Sequence, residues 1–103
     1  MPTFDILETV ERDLKRLDVQ ARAAFDVAVA KFVEDLTNIE EGTQTDFRSG
    51  LRVKPMRGRP DIMELTWDGN DGRATFSYGP EVIPGKRHVV WRRVGDHGIF
   101  GSP

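Results

Sequence analysis

Apolar residues recur along this chain of 103 residues with two different periods, and the change of period divides it. Val10, Leu14 and Leu17, and then Ala21, Ala24, Phe25, Ala28, Val29, Phe32, Val33 and Leu36, fall at intervals of three and four. That spacing predicts amphipathic helices. The break near Asp18 predicts two of them. Thr9 is placed to cap the first, with Glu11 and Asp13 in its opening turn, and Asp18 to cap the second. The small residues Ala21, Ala24 and Ala28 allow close approach to a partner surface, and Phe25 and Phe32 are placed to anchor a core.

Elsewhere the period is two. Thr3 to Leu7 alternates Phe4 and Ile6 with polar neighbours, which predicts a short strand. The segment IEEGTQTDFRSG, residues 39–50, reads as a loop. Beyond it Leu51 and Val53 alternate with Arg52 and Lys54, and Met63, Leu65 and Trp67 alternate with Glu64 and Thr66. After the turn sequence DGNDG, Ala74, Phe76 and Tyr78 alternate with Arg73, Thr75 and Ser77, which makes a hairpin. His88 to Val94 forms the last strand. The order predicts one α+β domain over residues 1–103: an N-terminal strand, a two-helix hairpin, and a three- to four-stranded antiparallel meander with the helices packed on one face. Trp67 and Tyr78 fall with the core set, whereas Trp91, between Val90 and Arg92, fits either face. His88 follows a loop and has no evident partner.

The other sheet face is expected to show Lys54, Glu64, Thr66, Arg73, Thr75 and Ser77, with Arg92 or Arg93 added by the last strand. Such a face is basic and hydroxyl-rich, contains one carboxylate, and is suited to an anionic ligand. The net charge of -2 conceals a split along the chain. Residues 1–47 carry 5 basic and 11 acidic side chains, a balance of -6, and residues 48–103 carry 10 and 6, a balance of +4. Charge alone fits either a polyanion site or a solvated acidic helical surface beside a mildly basic sheet. Apolar residues at 38% and charged residues at 31% are those of a globular chain. No apolar run approaches the roughly 20 residues that cross a bilayer, and MPTFDILETV has no basic leader, so the expectation is a cytoplasmic protein without membrane contact. There is no cysteine, and His88 and His97 are too few for a convincing zinc site, so no metal or other cofactor is expected.

The order of elements, together with MRGRPDIMELTW, GRATFSY and HVVWRRVGDHGIF, resembles the RelE/ParE superfamily of bacterial toxins from type II toxin–antitoxin systems, and in particular its RelE-like members of actinobacterial type. The resemblance covers nearly the whole chain on short, loose motifs. Two positions depart from the family pattern. The arginine that usually follows Glu-Leu is Thr66, and the closing aromatic is Phe100 where a tyrosine is more usual.

The resemblance implies an endoribonuclease that cuts mRNA in the ribosomal A site, with the ribosome and mRNA as partners and a cognate antitoxin as inhibitor. RNA carries its own nucleophile, the 2′-OH. The protein has to remove that proton, stabilise charge on phosphorus and protonate the leaving 5′ oxygen. By this reading Arg73 matches the family's phosphate-clamping arginine, and His97 is the general acid, an imidazole that exchanges protons near neutrality; from the residues alone, Arg73 fits equally an exposed strand arginine beside a turn and His97 a loop histidine with a backbone partner. Glu64 is either the base or one half of a cross-strand ion pair with Arg73 or Arg92. Lys54, Arg57, Arg59, Arg92 and Arg93 are candidates for RNA phosphates, and the alternative for the loop cations is a solvated turn. A different implied target within the same superfamily is DNA gyrase, bound and poisoned without RNA chemistry; a non-catalytic binding module is a third reading.

Overall fold

The computed structural model describes all residues, 1–103, and is an α+β fold. Strand β1 (Thr3–Ile6) leads into helix α1 (Glu8–Arg16) and helix α2 (Val19–Glu41). Strands β2 (Lys54–Met56), β3 (Arg59–Asp68), β4 (Gly72–Gly79) and β5 (His88–Gly95) follow. The four later strands form the expected antiparallel meander. The sheet is nevertheless five-stranded and mixed, in the order β1-β5-β4-β3-β2, because β1 lies parallel to β5 at the far edge. The meander alone is therefore an incomplete description of the sheet. No helix is long and apolar enough to cross a membrane.

Asp18 caps α2 as its sequence position predicts, accepting from the Ala21 N–H at 2.7 Å. Thr9 does not cap α1. Leu7 occupies that place, and the Thr9 hydroxyl donates to the Arg92 carbonyl instead. Helix α2 runs three residues past Asn38, where a loop was expected to begin, and Gly42 stops it in the left-handed conformation with φ 79°. The expected start of β2 at Leu51 is also displaced. Residues Ser49–Leu51 form a 3-10 turn and Arg52 is left-handed, which breaks the extended run until Lys54.

The core lies between the helices and one sheet face. Phe25, Ala28, Phe32 and Leu36 of α2 and Val10 of α1 meet Leu65, Ala74, Phe76, Val89, Trp91 and Val94. Phe32 is its centre, with ring centroids 5.0 Å from Phe76, 5.2 Å from Trp91 and 5.1 Å from Phe47. Trp91, ambiguous in sequence, thus belongs to the core.

The opposite face is less open than its alternation implies. Ile62 and Thr75 point there, yet they are 1% and 0% exposed. The chain after β5 turns back as a 3-10 segment (His97–Gly101) that packs against β4 and β5 and buries Ile99. A β-bulge in β5 adds a further change. Phe76 pairs with Trp91 but Thr75 pairs with Arg93, so Arg92 is the extra residue.

Candidate active site

The β3–β4 turn, the end of β5 and the end of α1 meet around a cleft of about 450 Å³. Its wall includes Leu17, Trp67 and Ile99, and its charged lining consists of Asp13, Arg16, Asp68, Asp71, Arg93 and Asp96. Arg73 and His97 stand beside it.

Local backbone geometry places both residues. Arg73 follows Gly72, which sits so close to the β3 end that a Cβ there would come 2.7 Å from the Asp68 backbone nitrogen. The Arg73 Nη1 donates to the Asp68 and Gly72 carbonyls at 3.2 and 2.9 Å, which fixes the guanidinium over the turn. His97 opens the 3-10 segment after Asp96, whose carboxylate caps that segment through the Gly98 N–H. The His97 Nδ1 is hydrogen-bonded to Asp71, which also accepts from the His97 backbone N–H. That bond raises the imidazole above its usual range, the Asp71 and Asp96 charges add to it, and nearby Arg73 opposes it. The same bond lowers Asp71. The result is a solvent-facing imidazole held toward its protonated form next to a fixed arginine.

The remaining candidates do not join this pair. Glu64 is held by Lys54 at 3.6 Å, so the ion pair that forms uses neither Arg73 nor Arg92. In the strand register Glu64 lies diagonally from Arg73, a separation of about 7–8 Å. Arg57 and Arg59 are exposed at the opposite end of β3, and Arg59 lies 3.5 Å from Asp61. Seven residues of strand, about 23 Å, separate Arg59 from Thr66, which pairs with Arg73. Arg92 reaches toward the Pro103 carbonyl. Arg93 binds Asp13 through Nε at 2.8 Å and Nη2 at 3.2 Å, and it also donates to the Ser102 carbonyl. With a carboxylate already bound, its charge is neutralised before any ligand arrives. The two arginines of the last strand therefore hold the chain's own end and α1.

Asp71 and Arg16 were not singled out in the sequence. Asp71 lies in the DGNDG turn, where acidic residues are ordinary turn formers. Arg16 closes α1 and lines the cleft only because β1 pairs with β5, which brings α1 beside the last strand. His88 does find partners, since its two ring nitrogens contact Thr3 Oγ1 at 2.7 Å and Asp5 Oδ2 at 2.9 Å. No group of three or more His, Cys, Asp or Glu side chains is arranged to hold a metal.

No protein-family model matches the chain, and neither a curated protein nor a solved structure does.

Proposed function

We propose that the protein is an endoribonuclease of the RelE/ParE toxin kind that acts on mRNA at the ribosome, with His97 as general acid and Arg73 as phosphate clamp. The observation that carries this reading is the convergence of His97, Asp71 and Arg73 at one end of the sheet. In the reaction the 2′-oxygen loses its proton and attacks phosphorus while the 5′-oxygen leaves with the proton of His97. The products are a 2′,3′-cyclic phosphate and a 5′-hydroxyl. Arg73, fixed by two carbonyls, meets the charge that develops on phosphorus without having to reorganise. Glu64, diagonal to Arg73 across the strand pair, is the carboxylate assigned to the 2′-OH proton once Lys54 releases it, and Arg16 offers a second cation to the backbone. The reading carries with it a cognate antitoxin that restrains the enzyme.

The test is primer extension on mRNA from a purified translation reaction with wild-type protein, Arg73→Ala and His97→Ala. Ribosome-dependent cuts lost in both variants support the assignment. An absence of cuts, accompanied in cells by growth arrest and gyrase-linked DNA breaks, moves it to the gyrase poison. Neither cuts nor arrest leaves a binding module.

A further inference from the structure

We propose that the outer edge of β1, together with the groove beside it, binds an extended segment of a second protein in which apolar and basic residues alternate. The inference is independent of the RNA reading.

Strand β1 has one sheet neighbour. The Thr3 N–H donates to the Arg87 carbonyl at 2.9 Å and the Leu7 N–H to the Trp91 carbonyl at 3.2 Å, so the odd-numbered residues serve the ladder to β5. Parallel pairing alternates, which turns the N–H and C=O groups of Phe4 and Ile6 outward. Free edges are commonly blunted by shortness, lysine, proline, a bulge or a covering element, and β1 is four residues long with Pro2 just before it. This one carries Phe4 and Ile6, whose exposures are 49% and 50%. Between these side chains and α2 runs a groove of about 170 Å³ lined by Phe25, Val29, Val33 and Trp91. Arg22 and Asp26 also line it but pair with each other at 3.1 Å. An apolar slot beside an unpaired strand edge is what strand addition requires: main-chain bonds supply affinity, and alternate side chains enter the slot.

Charge selects the occupant. The Asp5 side chain is 74% exposed, and its one partner is His88. If a second copy added its own β1 antiparallel, Phe4 and Ile6 would exchange bonds with the Ile6 and Phe4 of that copy. The two Asp5 residues would then face each other with Cα atoms about 4.5 Å apart, a like-charge opposition. A register shifted by two residues avoids this but sets either Pro2, which has no N–H, opposite Ile6, or Glu8, already in α1, opposite Phe4. The acidic residues Glu8 and Glu11 open α1 beside the edge. A strand with Lys or Arg opposite Asp5, flanked by apolar residues that enter the groove, meets each of these conditions.

The experiment titrates a synthetic nine-residue peptide of alternating Leu and Lys into the full chain, with amide exchange followed by NMR. Saturable binding is expected to slow exchange at Phe4 and Ile6 at least tenfold while leaving Thr3 and Leu7 as they were. N-methylation of the peptide amides that face β1 should abolish binding, and N-methylation of the opposite edge should not. Asp5→Lys should weaken the Lys peptide about fivefold and favour a Leu/Glu peptide by a similar factor. The proposal is overturned by no saturable binding, or by binding without protection of Phe4 and Ile6, as a helical occupant would give. It is equally overturned by a concentration-dependent dimer that protects those amides without peptide.

Discussion

Asp13 of α1 and Arg93 of β5, 80 residues apart in sequence, form a buried pair in which the same carboxylate also accepts the Val94 N–H at 2.9 Å. Asp13 is 5% exposed and the Arg93 side chain 22%, so the pair is partly shielded from water. Removing one partner leaves a charge or a backbone donor unmet. Asp13→Ala is expected to cost about 2–3 kcal/mol in urea unfolding, and Asp13→Asn less, since its amide oxygen still accepts from Val94.

A second buried acid predicts acid sensitivity. Asp35 accepts from the Arg48 guanidinium and backbone N–H, and these bonds hold its carboxyl at about 2. A lowered carboxylate stabilises the fold above its unfolded value and loses that contribution as pH falls through the folded one. Roughly 2 kcal/mol should therefore disappear between about pH 4 and pH 2. Arg48→Met should shrink this part of the pH dependence, since only the backbone N–H and Gln44 then still favour the carboxylate, as read from denaturation midpoints across that range.

The His97–Asp71 bond gives the opposite sign. The protonated imidazole is favoured, so its contribution is complete below the unfolded value and is lost as pH rises through the raised one. If the proposed RNA cleavage uses His97 as its acid, its alkaline limb should sit above the ordinary imidazole range and move down in Asp71→Asn. NMR titration of the His97 ring protons should show the same downward movement without RNA; an unmoved resonance would remove Asp71 from the account.

Thr75 is 0% exposed and its hydroxyl has no hydrogen-bond partner. Thr75→Val keeps the shape and deletes the unmet group. It should stabilise the fold by about 1 kcal/mol in urea, whereas a loss would show that the hydroxyl is satisfied in solution.

Gly72→Ala should destabilise by about 1–3 kcal/mol, because the new methyl meets the Asp68 Cβ at 2.5 Å as well as the Asp68 backbone. It should also reduce any activity that depends on Arg73, the next residue. Comparing unfolding with cleavage at permissive temperature separates the two effects.

Local rules fixed much of this fold. Helical periodicity located Phe25, Ala28, Phe32 and Leu36 on the core side of α2, and strand alternation did the same for Leu65, Ala74 and Phe76. The cap at Asp18 was equally legible. What alternation missed was caused at a distance. The extra residue at Arg92 shifts the register, which no count along β5 alone discloses. Thr75 is buried although its own strand presents it as outward-facing, on a strand against which the returning chain end packs. Asp13 and Asp35 look like ordinary surface acids until Arg93 and Arg48 are brought to them from across the fold. For the site, Arg73 and His97 were named from sequence, whereas the meeting of His97 with Asp71 required the β3–β4 turn and the end of β5 to share one end of the sheet.

The parallel pairing of β1 with β5 also sets an order of events during synthesis. β1 and the helices emerge from the ribosome ahead of the meander, yet Thr3, Leu7 and Asp13 find their partners only on residues 87 to 94. Until that last strand is released, the edge of β1 has no neighbour and the acid of α1 has no arginine. β1 and α1, made before the meander, are thus secured only after it, and a nascent chain stopped short of β5 has neither a finished sheet nor the His97 that follows it.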